Sequence, residues 1–396
     1  MADKSVSGGA RQGGPATARI RVVHVITRLI VGGAQENTIA SVLGLRRQPG
    51  LEVDLISGPT AGPEGSLESE VAGLPGFTLL PSLIRPIHPW HDVKALLQLA
   101  RLLLERAPRI VHTHSGKAGF LARVAARRAR VPVIVHTIHG PSFGPFQSAL
   151  ANIPLTAAER VAGRLTTHFV CVADAMRDRY LAAGIGRPDQ YSRIFSGFPL
   201  APFLNAASDG ARRQRLGLAA DDLVIAKVAR LFRLKGHDEL LEAAPHILRR
   251  CPRARFLLVG DGPWRERLQA KATALGVAPR FLFVGLVPPS QIPDLLAEAD
   301  LVVHLSRREG LPRVLPQALA AGKPAVSDGK AGGNPRLSPS ACAPRHGRGK
   351  PRPRSVAAPA RSGDTERSQP GIQQELPALS RQQGTLVCRG VPLSAE

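Results

Sequence analysis

The chain has 396 residues, 43% of them apolar and 4% aromatic, which is enough for two domains of ordinary size with real cores. It contains no run of about 18 apolar residues, and its N-terminus, MADKSVSGGARQGGPATA, lacks an apolar signal core, so neither a spanning helix nor secretion is expected. The formal charge is +23; eleven Lys/Arg against five Asp/Glu lie in residues 327–396, and Lys4 and Arg11 stand against Asp3 in residues 1–18, which leaves +16 on residues 19–326 and favours anionic partners.

Arg21 to Ile26 (RVVHVI) reads as a first buried strand that runs into Gly32-Gly33 and a helix. Without Cβ atoms such a turn lets backbone approach a phosphate or sugar, and a plain tight turn is the other reading. The dinucleotide fingerprint G-x-G-x-x-G is absent. Val53 to Ser57 and Phe77 to Leu80 read as the next strands, and Asp92 to Arg106 as an amphipathic helix. Then comes IVHTHSGKAGF at 110–120, a strand with His112, His114, Ser115 and Lys117 at its end. Val131 to Thr137 repeats the scheme and ends in His136-Thr-Ile-His139-Gly140. Four histidines at two strand ends suggest a metal. However, no carboxylate accompanies them at ligand spacing, and strand geometry divides side chains between opposite faces, so no metal is expected. A polar acceptor or sugar pocket is the preferred reading, with buried, hydrogen-bonded rings as the alternative for His112 and His136. Thr166 to Val172 and Tyr191 to Phe195 complete one doubly wound domain over 19–200. The Gly/Pro/Ser-rich stretch that follows places a linker at 201–210.

The second half, 211–326, opens with the strand Leu223 to Ala229 and the loop Arg230 to Gly236. Arg230 and Lys235, five residues apart before a helix N-terminus, suit a diphosphate; two solvated surface cations are the alternative. Phe256 to Val259 leads into Gly260-Asp261-Gly262, a turn rather than a nicotinamide site because Arg265 stands where a third glycine belongs. The strand Ala299 to Leu305 then leads to RREGLPRVLPQALAAGKPAV at 307–326, with a helix expected from Leu311. Glu309 and Gln317 would reach one ligand above the sheet edge, a carboxylate and an amide suited to sugar hydroxyls. An ordinary helix with a solvated Glu is the bland reading. Neither a Walker G-x-x-x-x-G-K-[ST] nor a D-x-D pair occurs, so side chains and helix ends must meet any phosphate charge.

With Gly32-Gly33, HTHSGK, HTIHG, Arg230…Lys235-Gly236, VGDGP at 259–263 and REGLP…PQALAAGKP in order, the chain resembles the retaining glycosyltransferases of family 4 over residues 20–326. The resemblance implies an α/β fold of two Rossmann-like domains facing across a cleft (GT-B), an N-terminal acceptor side and a C-terminal nucleotide-sugar side. It implies that Arg230 and Lys235 hold the donor diphosphate with Gly33 close by, and that Glu309, first acid of the E-x7-E motif, contacts the transferred sugar. His139 would lie near the reacting carbon, and His114 and Lys117 on the acceptor side. Gln317 stands where the family has a second acid at the ribose, so hydrogen bonding remains while the charge is lost.

The implied partners are a nucleotide sugar and a lipid-linked or saccharide acceptor, with peripheral contact to an anionic membrane. No cofactor or metal is expected, and no nucleic acid, because the charge is spread out and lacks interleaved aromatics. A nucleotide-sugar epimerase on the same frame is the competing reading, and an inactive truncated product a third. Cys171, Cys251, Cys342 and Cys388 are scattered, with no C-x-x-C, which fits a reducing cytosol. From Ser327 the character changes: residues 327–396 contain nine prolines and no apolar periodicity, and Arg336 replaces the acid expected after Gly332-Gly333-Asn334-Pro335. A frameshifted or mispredicted reading frame accounts for this; a disordered tail is the alternative.

Overall fold

A computed structural model describes residues 19–327, so the expectations placed on residues 1–18 and on the low-complexity tail, frameshift included, lie outside the described residues. The first domain runs β1 (Ile20–Ile26), α1 (Gly33–Arg46), β2 (Leu51–Ser57), β3 (Phe77–Leu79), α2 (Pro89–Arg106), β4 (Ile110–His114), α3 (Gly116–Arg128), β5 (Val133–Ile138), α4 (Ala149–Arg164), β6 (His168–Cys171), α5 (Asp174–Ala182) and β7 (Tyr191–Arg193). Its seven parallel strands lie in the order β3-β2-β1-β4-β5-β6-β7. Val23, Val25, Val111 and Ile134 meet α2 and α3 on one face, and Val22, Ile26, Val53 and Leu55 meet α1 on the other. Burial on both faces is why these strands read as continuous apolar runs.

The second domain runs α6 (Ala201–Leu204), α7 (Gly210–Arg215), β8 (Leu223–Val228), α8 (His237–Arg250), β9 (Ala254–Val259), α9 (Arg265–Ala274), β10 (Phe281–Gly285), α10 (Ile292–Ala297), β11 (Leu301–His304), α11 (Val314–Ala320) and β12 (Ala325–Ser327). Its five strands are also parallel, in the order β10-β9-β8-β11-β12. In each sheet the order reverses beside the first strand of the domain, at β1/β4 and at β8/β11. The loops leaving these strands open crevices at their carboxyl ends, the usual place for a ligand in such sheets.

Three expectations need correction. Residues 201–210 are not a free linker: Phe203 is buried against Val224, Leu257 and Leu296 of the second core. Ser208 Oγ and the Asp209 backbone N–H both donate to the Glu298 carboxylate, at 2.6 and 2.9 Å. The last bonds to the first domain are Ile194 N–H to Cys171 O and Gly197 N–H to Asn37 Oδ1, so the chain crosses near residues 198–200. Helix α2 starts at Pro89 rather than Asp92. Proline's fixed φ suits the first turn, and the His88 ring accepts from His91 N–H as its cap. Helix α11 starts at Val314 rather than Leu311, because Leu311 precedes Pro312 and is thereby biased away from the helical region.

Candidate active site

The loop from β8 to α8 is held in a tight shape. His237, 1% exposed, donates through Nε2 to the Arg230 carbonyl at 2.9 Å. Leu234 and Gly236 both have φ near 72°, and a Cβ on Gly236 would lie 2.0 Å from the Leu305 carbonyl oxygen. This close approach to the end of β11 sets Lys235 Nζ 2.5 Å from Glu309 Oε1. Burial pushes the Glu309 carboxyl up, but Lys235 and the nearby His304 outweigh it, so the group sits below the usual carboxylate range. His304, 4% exposed and 3.6 Å from the same oxygen, is itself held down to about 4 by burial.

From the first domain come the loop after β1, the start of α3 and the end of β5. Thr27 and Ser115 share a 2.7 Å hydroxyl–hydroxyl bond, and Ser115 takes a left-handed φ of 63° at the turn into α3. Among the described residues the domains touch at several places around these loops. The His139 carbonyl faces Gly310 so closely that a Cβ there would lie 2.1 Å from it. Arg308 donates to the Pro141 carbonyl at 2.9 Å and lies over the Phe146 ring. Arg313 pairs with Glu36 at 2.7 Å, and Arg230 with Glu64 at 3.0 Å. Glu64 is also gripped twice by Arg28, at 2.8 and 3.0 Å.

These contacts enclose an interdomain cavity of about 550 Å³. Gly33, His139, Arg230, Lys235, Glu309 and Gln317 all line it, so six of the eight residues singled out from the sequence share one site. The other two are displaced from it. Lys117 turns away to pair with Asp92 and to donate to the Pro86 carbonyl at 2.5 Å. His114 is 1% exposed and lies beneath His139, its Nδ1 3.0 Å from His139 Nε2. Arg85, Arg230, Arg233, Lys235, Arg308 and Arg313 line the cavity against the two acids Glu36 and Glu309, a cationic balance suited to a diphosphate. Arg308, Arg313 and Glu36 were not singled out from the sequence. The three arginines at 307, 308 and 313 around Glu309 were the available signal, while Glu36 had none.

His112 hydrogen-bonds Thr137 through Nε2 at 2.7 Å, and His136 bonds the Thr113 hydroxyl through Nδ1 at 2.9 Å, so both rings are hydrogen-bonded, His136 buried and His112 half-buried. The division of histidines between two faces does not hold for all of them. The two-residue strand period places His112 and His114 together, and His24 from β1 joins them, one ring nitrogen of each lying within 4.8 Å of the others.

Two parallel-sheet α/β domains facing across a cation-lined cleft form the GT-B architecture. A family model described as "Glycosyl transferase 4-like domain" matches residues 32–194, and "Glycosyl transferases group 1" matches 209–338. A curated relative, the UDP-Gal:alpha-D-GlcNAc-diphosphoundecaprenol alpha-1,3-galactosyltransferase of Escherichia coli, is 29% identical over 321 residues, covering 80% of this chain and 81% of its own. The putative glycosyltransferase EpsF of Bacillus subtilis is 28% identical over 313 residues, covering 77% of this chain and 78% of its own. Among solved structures, HepE of Anabaena, in complex with UDP and glucose, superposes with a TM-score of 0.65 at 23% identity, over 79% of this chain and 82% of that one. The chain belongs to the family 4 glycosyltransferases. Among the described residues no helix is long and apolar enough to cross a membrane.

Proposed function

We propose that the chain transfers a hexose from a nucleotide-diphosphate sugar to a lipid-linked or saccharide acceptor, with retention of configuration and without a metal. The observation that carries this reading is the convergence of Arg230, Lys235, Glu309, Gln317, Gly33 and His139 on one cavity from two domains. As the glycosidic bond breaks, negative charge gathers on the leaving diphosphate. Cations fixed there stabilise the transition state more than the ground state. Arg230 and Lys235 would take that charge, assisted by Arg308 and Arg313 on the same wall. Glu309, kept ionised by Lys235, would steer the sugar hydroxyls, and Gln317 would hydrogen-bond the ribose.

Within a retaining scheme the carboxylates argue against double displacement: Glu36 is tied to Arg313, so among the described residues lining the cavity Glu309 has no free second acid to complete the nucleophile-and-acid pair. The acceptor hydroxyl would then attack from the leaving-group face and lose its proton to a diphosphate oxygen. A metal is unnecessary in this scheme because the cavity already carries a surplus of fixed cations. The lipid-linked acceptor named for the E. coli relative supports an anionic lipid substrate here. The outer face of α2 and the residue before its cap support membrane contact: Ile87 and Trp90 are 81% and 82% exposed, and Val93, Lys94 and Leu97 continue the exposed face of the helix. Arg85, which lines the cavity, stands two residues before Ile87.

The test is calorimetric titration with UDP, UDP-glucose and UDP-galactose, followed by transfer to a diphosphoprenyl-linked sugar with the anomeric configuration read by proton NMR. Equal rates with and without EDTA and an axial product linkage are expected from an axial donor. Absence of binding to any nucleotide sugar, or turnover of the free nucleotide sugar to its epimer, would overturn the reading.

A further inference from the structure

The proposed function uses one histidine, His139, yet its ring is the end of a buried chain. His24 Nδ1 lies 3.0 Å from His114 Nε2, and His114 Nδ1 lies 3.0 Å from His139 Nε2. In both pairs the ring centroids are 5.2 Å apart and the planes differ by only 10° and 30°. Each N···N line therefore runs nearly through both ring centres, the geometry of an in-line N–H···N bond. His24 is fully buried and His114 is 1% exposed. Burial holds both rings well below their ordinary pKa and His139 down to about 3, so all three are neutral, and each carries one N–H and one bare nitrogen.

Three neutral rings joined in this way have two self-consistent proton arrangements. In one, every Nδ1 carries the proton: His24 donates to His114, His114 donates to His139, and the His139 Nδ1–H is left over. In the other, every Nε2 carries it and the direction reverses, leaving the His24 Nε2–H over. Among the described residues both of these end atoms are buried and unpartnered. They differ in surroundings, because His24 lies in the sheet interior whereas His139 lines the interdomain cavity. A stranded N–H inside a sheet is rarer and costlier than a stranded lone pair, whereas an N–H facing a cavity can be met by a ligand. Arg313, which lines the cavity from the second domain, also carries a buried, unpartnered Nε–H, although its terminal nitrogen is met by Glu36.

We propose that His24 and His114 are positioning residues that hold His139 in its Nδ1-protonated form, so that His139 presents a hydrogen-bond donor, and not a base, to a hydroxyl or phosphate oxygen of the donor. This rests on the reading that the donor occupies the interdomain cavity. The tautomer itself does not, and it is measured first. Long-range proton–nitrogen NMR on histidine-labelled protein without ligand should show His139 and His114 protonated at Nδ1; protonation of His139 at Nε2 overturns the proposal whether or not the chain transfers sugar. A response of the His139 Nδ1–H to UDP assigns its partner to phosphate, and a response only to UDP-glucose assigns it to the sugar. A response to neither, in protein that calorimetry shows to be loaded, overturns the donor role.

Two variants separate positioning from packing. His24→Asn keeps a donor near the Nδ1 position, and His24→Leu fills the site without one. Positioning requires Asn to keep most of the wild-type kcat and Leu to lose about 10-fold to 100-fold with a mixed His139 tautomer. Packing alone gives the reverse order and would refute it. If neither variant folds, the wild-type tautomer still decides.

Discussion

Replacing Gly310 with alanine tests the interdomain geometry directly. An added Cβ would lie 2.1 Å from the His139 carbonyl oxygen and 2.8 Å from its carbon. Both are backbone atoms, which cannot swing aside as a side-chain tip would. To reach even 3.0 Å, the shortest separation real Cβ atoms show, the two loops must part by 0.9 Å. Gly310 has no left-handed φ, so alanine is compatible with its own backbone, and the strain falls only on the contact between domains. Displacing His139 and Gly33 from Glu309 and Lys235 by about 1 Å should cost about 10²-fold in kcat/KM. The second domain's own core is untouched, so Tm should shift little and UDP should still bind. Gly44→Ala, in the last turn of α1 where nothing lies within 4 Å, is the control and should stabilise by at most about 1 kcal/mol. Full activity in Gly310→Ala would show that the closed contact between His139 and Gly310 plays no part in turnover.

Lys235→Ala should lower kcat/KM by about 10²–10³-fold. It should also move the acid limb of the pH–rate profile upward, because burial of Glu309 then acts without its nearest cation; an unmoved limb would dissociate Glu309 from the profile. Glu64→Gln removes the acid that occupies Arg230 and so should tighten UDP binding by about 3-fold to 10-fold, read by calorimetry; weaker binding would show that Glu64 supports the site instead. Stability should fall as pH drops below about 6.5, where unfolded histidine begins to take up protons. Burial keeps the native rings of His24, His114 and His136 neutral far below that, and those of His112 and His139 until about 4 and about 3. The unfolded chain then binds more protons, and each such group removes about 1.4 kcal/mol per pH unit in that window. A Tm that stays level from about pH 7 to about pH 5 would contradict this.

Much of the architecture was legible in the chain because strands buried on both faces leave uninterrupted apolar runs such as RVVHVI and LVIAKVA, and local composition carries that signal. The loops that follow those runs also identified Gly33, Arg230, Lys235, Glu309 and Gln317, since the ends of parallel strands are where a ligand can be met by backbone and side chain together. Helix α4 was not legible: its capping Ser148 is an ordinary serine, and Pro154 inside it breaks the apolar rhythm. The positions of His114 and Lys117 were decided by tertiary packing. One is covered by His139 and the other is drawn off by Asp92, neither of which is fixed by spacing along the strand.

What the amino-acid order determined alone was the succession of strands and helices and the chemistry at the strand ends. The three-dimensional fold decided which of those ends meet. The pairing of Arg313 with Glu36, of Arg230 with Glu64 and of Gly310 with His139 joins residues more than 150 positions apart. Such contacts depend on how two separately folded sheets face each other, and no local pattern encodes that orientation.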